Sequence, residues 1–374
     1  MTIGVIIVNY YTEALVQPLV TRLVSYPSVS QVIVFDNGSA NPLSFASGSV
    51  RVMSAGRNLG FGAAVNRAFA ALTSSYVLLI NPDAIADAAS VERLLQAARS
   101  YGCPLVGPRF YWDDEGLFRL PPATGAFPWL AVGAEAPDSL AGRLRSHAWA
   151  VYHDHYWAQR APFRLPFLSG ACLLLARDWL LTRGRVFDER FFMYFEDTDL
   201  CMDVLSQGWQ PLCVPGAEVI HYWDQSPEPQ AVKSRMMAEA GHLFRLKHSI
   251  PDGPPSLSTP SSSPPLPGTP WEDLGLMREP PCLVIHQAAA GGTLEVAVGE
   301  DFVPFAQARL GPEGLLPWSS SPPREEELVP AAAGGRLVIP FPGTVWARLR
   351  AGHYLIRLRA GDGRVIRCWR WRQR

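Results

Sequence analysis

A segment rich in proline and serine divides the chain into two parts. Residues 250–270 read IPDGPPSLSTPSSSPPLPGTP and offer almost no apolar side chains to bury. Because proline rings stiffen such a segment and no core can form around it, we interpret it as a linker. The chain has 374 residues, 48% of them hydrophobic, which is enough for one large core and a second, smaller one.

The patterns on the two sides of the linker differ. In residues 1–249, apolar runs alternate with helical patterns, which predicts an α/β domain. Residues 271–374 contain short alternating segments, which predict a small all-β accessory domain. We expect strands over 2–9, 31–36, 50–54, 76–80, 294–298, 336–341 and 353–358, and helices over 13–25, 62–72 and from the 196 region to about 208.

Charge and cysteine usage exclude some classes of function. The 33 basic and 34 acidic residues nearly cancel, so the chain lacks the basic excess expected for nucleic-acid binding. The six cysteines show no CxxC spacing and most lie in apolar runs, which favours reduced thiols and a cytoplasmic location. The apolar runs 3–8 and 167–176 are too short to span a bilayer or to form a signal peptide.

Polar residues follow three of the predicted strands. Asn9 ends the first, Asp36 and Asn37 end the second, and Asn81-Pro82-Asp83 follows the strand over 76–80. Open α/β sheets bind ligands at the carboxyl ends of their strands. Asp36 can accept hydrogen bonds from a nucleobase or ribose, and the oxygens of Asp83 suit a hard cation. The alternative for each residue is a strand-ending turn.

A glycine-containing loop, GRNLGFG over 56–62, precedes the second predicted helix. The free N–H groups at a helix N-terminus can face an anion, and Arg57 could meet a diphosphate. The alternative is a loop-to-helix junction in which glycine serves only packing.

The segment FDERFFMYFEDTDLC, residues 187–201, brings Glu196, Asp197 and Asp199 to the predicted start of a helix. The helix dipole favours one or two acids there, but not three beside so many aromatic rings. Desolvation and like-charge repulsion raise the proton affinity of crowded carboxylates, as a general base requires. Farther on, His221 ends an apolar run; it is either an ordinary half-buried histidine or a second metal ligand beside Asp83.

Taken together, these segments resemble the family 2 glycosyltransferases of the GT-A fold, in particular the bacterial branch that includes rhamnosyltransferases. The similarity covers roughly residues 1–248. The matching segments are VIIVNYYTEALVQPLV, VIVFDNGS, GRNLGFGAAVNRA, LLINPDA, FLSGACLLLAR, FDERFFMYFEDTDLCMDVLSQGW and VIHYW.

The resemblance implies a Rossmann-like, mostly parallel sheet and a role for each matching residue. Asp83 and His221 would hold Mn²⁺ or Mg²⁺, although Asn81 replaces the first acid of the family's Asp-x-Asp motif and weakens the site. Asp197 would be the catalytic base, with Glu196 and Asp199 in support. Ser169 and Gly170 would lie on the acceptor side. The donor nucleotide would contact Asn9, Asp36, Asn37, Arg57, Asn58, Gly60, Asn81 and Asp83.

The implied activity is inverting, metal-dependent transfer of a sugar, rhamnose among the candidates, from a nucleotide diphosphate donor. The acceptor would be a hydroxyl of a glycan or of a lipid-linked acceptor, in polysaccharide or cell-envelope glycan synthesis. Residues 111–166 would form an insertion on the acceptor side. Arginines of the last strand, Arg370 and Arg372 among them, would either face solvent or contact the inner face of a membrane.

Two other function classes compete with this interpretation. A catalytically weak or inactive sugar-binding protein of the same fold is kept open by Asn81. A glycoside hydrolase with paired carboxylates is disfavoured. Such an enzyme needs no nucleotide site, so the positions of Asp36 and Asp83 at strand ends would be unexplained.

Overall fold

The computed structural model describes residues 2–39, 43–123, 140–250, 271–286, 291–297, 306–311, 336–341, 343–347, 349, 351–361 and 363–373. Beyond Ile250, the predicted linker lies outside the described residues. The chain divides into two units. The first contains residues up to 109, 122–123 and 157–250, and the second contains 110–121, 140–156 and the described residues from 271 onward.

A large mixed sheet forms the centre of the first unit. Among the described residues its order is β3-β2-β1-β4-β8-β6-β9-β5, with β7 paired to β9. The β3-β2-β1-β4 part is parallel, and β8 joins β4 in antiparallel orientation. The strands are β1 Ile3–Asn9, β2 Val29–Asp36, β3 Val50–Ser54, β4 Tyr76–Ile80, β5 Ala84–Ala86, β6 Leu105–Tyr111, β7 Phe163–Arg164, β8 Cys172–Ala176 and β9 Leu212–His221.

Helices connect these strands as an α/β pattern requires. Helix α3 illustrates how the local sequence sets the limits: the Asp87 carboxylate accepts the backbone N–H of Ser90 at its start, and Gly102 ends it in the left-handed conformation. The helices are α1 Glu13–Leu23, α2 Phe61–Phe69, α3 Ala88–Tyr101, α4 Leu140–Ala158, α5 Arg177–Arg183, α6 Glu196–Ser206 and α7 Gln230–Lys247.

The direction of the parallel strands explains at which edge of the sheet the predicted polar residues lie. All seven residues of β1 are buried, as expected for a central strand covered on both faces. Its register pairs Asn9 with Asp36, so β1 and β2 end at the same edge of the sheet. The loops after these strands and after β4 therefore meet at one edge, as the polar strand ends predict.

The second unit is rich in β-structure. A five-stranded sheet has the order β10-β16-β15-β12-β13, and β11 pairs separately with β14. The predicted fold class, an α/β sheet built on parallel strands and followed by a β-rich part, is confirmed. The described elements of the second unit are β10 Trp271–Met277, β11 Cys282–His286, β12 Thr293–Ala297, β13 Ala306–Arg309, β14 Arg336–Pro340, β15 Gly352–Arg359, β16 Val365–Gln373 and the one-turn helix α8 Gly343–Trp346.

Residues 110–121 pack into the core of the second unit. Trp112 and Phe118 are buried in the same cluster as Trp369 and Trp371 of β16. Arg119 exchanges two backbone hydrogen bonds with Gln307 of β13. The tryptophans of the 111–166 segment that the structure describes serve packing, as do those of the last strand.

The other face of β16 carries the predicted arginines. Arg370 Nε lies 3.1 Å from Asp273 Oδ2, so an acid of β10 neutralises part of this face. Arg367, which lies on the face of Trp369, pairs with Glu272 of β10 at 2.6 Å. Within the described ranges, no helix is long and apolar enough to cross a bilayer. Cys103, Cys172, Cys201, Cys213 and Cys368 are buried free thiols.

Candidate active site

A cleft of about 380 Å³ opens at the carboxyl edge of the parallel strands of the first unit. It brings together segments that are far apart in the chain: the ends of β2 and β4, the start of α2, the loop before β8, the start of α6 and the end of β9. The predicted residues that line it are Asn37, Asn58, Gly60, Asn81, Asp83, Ser169, Gly170, Glu196, Asp197 and His221.

Asp83 and His221 form one pair in this cleft. Strand β5 pairs with the end of β9 so that Ala84 lies opposite His221, and the Tyr222 N–H donates to the Asp83 carbonyl. Asp83 Oδ2 and His221 Nε2 are 3.5 Å apart. Burial alone would raise the pKa of Asp83, but the adjacent His221 and hydrogen bonds lower it below its ordinary value.

This pair fits part of a cation site. A carboxylate oxygen and an imidazole nitrogen are both acceptable to Mn²⁺, and the two atoms are close enough to share an ion after a small adjustment. In the described part of the chain, no cluster of three or more His, Cys, Asp or Glu side chains could hold a metal. If this pair binds a cation it supplies two ligands, so the cation would need further oxygens from a substrate or from water.

Glu196 and Asp197 form a second pair at the start of α6. The Gly170 N–H donates to Asp197 Oδ2 at 2.8 Å, and the Thr198 N–H donates to Asp197 Oδ1 at 2.7 Å. A Cβ atom on Gly170 would lie only 3.1 Å from the Asp197 Cβ, so a residue without a side chain allows this approach. Burial raises the pKa of Asp197 above its ordinary value.

Glu196 differs from Asp197 in its hydrogen bonding. The residue is 8% exposed, and its Oε2 atom has no hydrogen-bond partner among the described residues. Burial, and secondarily the charge of Asp197, raises the pKa of Glu196 to about 8. The group is therefore mainly protonated at neutral pH and lies at the cleft with one oxygen still to be satisfied.

Asparagine side chains build the glycine-containing loop. The Asn37 Nδ2 donates to Asn58 Oδ1 at 2.8 Å, and Asn37 Oδ1 accepts the Leu59 N–H. Gly60 has a φ of +86°, and a Cβ there would lie 2.7 Å from the Phe192 carbonyl oxygen. Glycine is thus required at position 60 because the backbone there contacts Phe192, in the segment that leads to Glu196 and Asp197. This requirement corresponds to the alternative stated for the loop, in which glycine serves packing.

Four predicted residues do not line the cleft. Asn9 is fully buried and donates to Asp36 Oδ1 at 3.1 Å, so both stabilise the strand ends beneath the site. Arg57 is exposed on the loop outside the cleft lining. Asp199 is fully buried on α6 and pairs with Lys247 and His248 rather than facing the cleft.

The cleft also contains residues that sequence patterns did not single out. Tyr10 and Thr12 directly follow β1, and the segment from Trp223 to Glu228 directly follows His221, so proximity to a strand end was the available signal. Phe192, Trp223 and Met237 are large apolar side chains exposed at its mouth. Such side chains suit the apolar faces of sugar rings or hydrocarbon.

Comparison with known proteins finds similarity to one sequence family over part of the chain. Residues 4–180 match the model of the family described as Glycosyl transferase family 2. A protein of Mycobacterium tuberculosis (strain CDC 1551 / Oshkosh), named N-acetylglucosaminyl-diphospho-decaprenol L-rhamnosyltransferase, is 31% identical over 207 residues. The alignment covers 51% of this chain and 66% of that relative, so the chain spans just under two thirds of the relative's length.

Solved structures of low sequence identity align with part of the chain. GalNAc-T7 with UDP, GalNAc and Mn²⁺ aligns with a TM-score of 0.43 and 16% identity over 62% of this chain and 46% of that chain. The mannosyltransferase PcManGT from Pyrobaculum calidifontis, in complex with GDP-Man and Mn²⁺, aligns with a TM-score of 0.42 and 13% identity over 68% of this chain and 66% of that chain. Residues 4–180, just under half of the chain, thus match glycosyl transferase family 2, and the 31% identical relative is named a rhamnosyltransferase.

Proposed function

We propose that the chain is an inverting, metal-dependent glycosyltransferase. It would move a sugar from a nucleotide diphosphate donor to a hydroxyl of a lipid-linked glycan acceptor, in the synthesis of a cell-envelope polysaccharide. The observation that carries the proposal is the presence in one cleft of the Asp83–His221 pair and the Glu196–Asp197 pair. The name of the mycobacterial relative supports rhamnose as the donor sugar and a polyprenyl diphosphate as the acceptor anchor.

On the donor side, the residues of the strand ends would bind the nucleotide diphosphate. Asn37, Asn58 and Gly60 form a rigid loop beside the cleft. Asp83 and His221 would hold the divalent cation, and Asn81 would add an amide oxygen nearby. When bound, such a cation neutralises the charge that develops on the leaving diphosphate.

On the acceptor side, Asp197 would remove the proton from the attacking hydroxyl. The Gly170 and Thr198 N–H groups fix the orientation of its carboxylate. Oδ1 also accepts the Thr198 hydroxyl, whereas Oδ2, which accepts the Gly170 N–H, keeps a further lone pair for the proton. The hydroxyl oxygen forms the new bond to the anomeric carbon as the bond from that carbon to the diphosphate breaks. One such displacement inverts the configuration at the anomeric carbon.

Glu196 would act as a hydrogen-bond donor in the same step. Its carboxyl group is mainly protonated at neutral pH because burial raises its pKa to about 8. A neutral carboxyl can donate its proton to a sugar hydroxyl or phosphate oxygen, which a second carboxylate beside Asp197 could not do. The missing partner of Oε2 would then be supplied by the substrate.

The alternative is a binding protein that keeps the nucleotide site without turnover. Asn81 and the two-ligand pair favour it, since both weaken the cation site relative to a set of three acids.

Peripheral association with the cytoplasmic face of a membrane also belongs to the proposal. The exposed Arg370 and Arg372 would contribute to it only weakly, because Asp273 already pairs with Arg370.

The deciding experiment begins with binding and ends with transfer. The melting temperature would be measured with Mn²⁺ and dTDP-rhamnose, UDP-hexoses or GDP-mannose in turn. The stabilising donor would then be incubated with a polyprenyl diphosphate N-acetylglucosamine acceptor, and the anomeric configuration of the product read by NMR. Stabilisation and an inverted product support the proposal. Stabilisation without transfer or donor hydrolysis favours the binding protein, and a lack of stabilisation by any donor contradicts both.

A further inference from the structure

An ion-pair network lies behind the cleft, at the end of α7. Lys247 Nζ is 2.9 Å from Asp188 Oδ2 and 2.7 Å from the Asp199 carboxylate. His248 Nε2 is 2.7 Å from Asp199 Oδ1. The side chains of Asp188 and Asp199 are 3% and 1% exposed, and that of Lys247 is 16% exposed. A single ammonium group therefore joins two buried carboxylates.

In the sequence, the two carboxylates flank the proposed catalytic pair, Glu196 and Asp197. Asp188 lies before the aromatic run, Asp199 lies in the first turn of α6, and Glu196 and Asp197 are between them. Because both ends contact Lys247, the segment 188–199 forms a loop closed by the last turn of α7. Lys247 itself does not line the cleft.

The backbone of this loop needs such support. Tyr194 and Phe195, directly before Glu196, have φ angles of +71° and +64°. Two successive non-glycine residues in the left-handed region persist only where the surrounding structure holds them. Phe195 contacts Phe244 of α7 at 5.3 Å between ring centroids, and Phe191 is buried in the same small cluster. Helix α7 therefore holds the loop by both packing and charge.

The other charges around Asp188 come from flexible side chains. Arg190 Nη2 lies 2.6 Å away with a 59% exposed side chain, and Arg185 Nη2 lies 3.7 Å away with a 46% exposed side chain. Together with Lys247, Arg190 holds the pKa of Asp188 well below its usual range. These arginines form ion pairs with Asp188, and Arg190 only senses the charge of Asp199, whereas Lys247 forms ion pairs with both Asp188 and Asp199.

We infer that Lys247 is a positioning residue that ties Asp188 to Asp199 and thereby holds Glu196 and Asp197 in their reactive orientation. The inference rests on the proposed transferase function. Its consequence is that loss of the Lys247 charge loosens the acidic segment, with little effect on the donor nucleotide site formed by β2, β4 and β9. A misplacement of about 1 Å at a catalytic group can cost on the order of 10²-fold in rate.

The test compares Lys247→Met, Lys247→Arg and the control Arg177→Met. Met keeps most of the apolar volume of lysine, and Arg restores the charge. Arg177 is a half-buried cation of the same unit that donates to the Leu72 carbonyl, apart from the acidic segment. Asp188→Asn weakens one end of the network and serves as a second variant if Lys247→Met does not fold.

Two readouts separate this inference from the proposed function. Hydrogen exchange of residues 188–199 needs no activity: we expect it to rise in Lys247→Met, and to stay at the wild-type level in Lys247→Arg and Arg177→Met. In the transfer assay, we expect kcat of Lys247→Met to fall at least about tenfold, with the nucleoside diphosphate Kd changed by less than about twofold. The pH midpoint of kcat should also move downward as water reaches Glu196.

Each combination of results has a definite meaning. Unchanged exchange in Lys247→Met, or raised exchange with unchanged kcat and pH profile, overturns the inference. Raised exchange in a chain whose wild type transfers no sugar supports the tie between α7 and the acidic segment and overturns the proposed transferase function instead. Equal losses of kcat and of exchange protection in Lys247→Met and Arg177→Met would mean that Lys247 serves only general stability. That result would also overturn the inference.

Discussion

His221 Nε2 lies 3.5 Å from Asp83 Oδ2, although the two residues are far apart in the sequence. The contact exists because the short strand β5, which begins directly after Asp83, pairs with the last residues of β9. The backbone thus places a carboxylate and an imidazole side by side before any ligand binds. Such preorganisation lowers the cost of forming a cation site.

Loss of either member of this pair should weaken cation binding. We expect Asp83→Ala or His221→Ala to reduce the affinity for Mn²⁺ in the presence of a nucleoside diphosphate at least about tenfold, as changes at metal sites typically do. Isothermal titration calorimetry measures this directly. Asp87→Asn is the matched control, because asparagine caps α3 nearly as well as aspartate and lies outside the cleft. Equal affinities in Asp83→Ala and in the wild type would contradict the pair's role.

Loss of the proposed base should reduce turnover and spare donor binding. We expect Asp197→Asn to lower kcat on the order of 10²-fold or more, because an amide cannot accept the acceptor's proton. Its oxygen can still accept one of the N–H groups from Gly170 and Thr198, so folding should persist. Asp178→Asn, which changes an exposed acid of α5 outside the cleft, provides the control. Near-normal kcat at saturating substrates would remove Asp197 from its role.

Glu196 should make stability depend on pH. Its pKa is about 8 in the folded protein against 4.5 for the ordinary group, so the folded state binds more protons between these values. The free energy of unfolding should therefore fall as pH rises from about 4.5 to about 8, and the whole decrease should be present above pH 8. Glu196→Gln removes this penalty, and we expect a gain on the order of a few kcal/mol at pH 8.5 and little change near pH 4.5. Urea unfolding at both pH values tests it; an equal effect at both would refute the assignment.

Gly60 should tolerate a side chain less well than Gly56. Both have a positive φ, but a Cβ at Gly60 would meet the Phe192 carbonyl at 2.7 Å, whereas a Cβ at Gly56 would meet no atom within 4 Å. Gly56→Ala should show only the backbone strain, about 1 kcal/mol, and Gly60→Ala clearly more. Chemical denaturation compares the two. Equal losses would mean that the contact with Phe192 carries no weight.

Local sequence patterns predicted the first four strands and helices α1, α2 and α6 of the first unit, but not α3, α5 or α7. The apolar run that forms β1, the turn residues after β2 and β4, and the acids at the start of α6 each predicted the structure at that place. This works because burial on both faces, turn formation and the start of a helix depend on neighbouring residues. Helix α4 was not predicted, since its 111–166 segment was judged from tryptophan, proline and histidine content rather than from a clear period.

The sequence by itself determined the α/β class, the β-rich second part, the similarity to glycosyl transferase family 2 and the polar residues at the strand ends. The tertiary structure alone decided which of them share the cleft. Asp83 and His221 meet through β5 and β9, whereas Asp199 turns away to Lys247 and Asp36 is held beneath the cleft by Asn9. The physical reason is that strand order and the direction of a helix face come from pairing and packing between distant segments, for which a local pattern contains no signal.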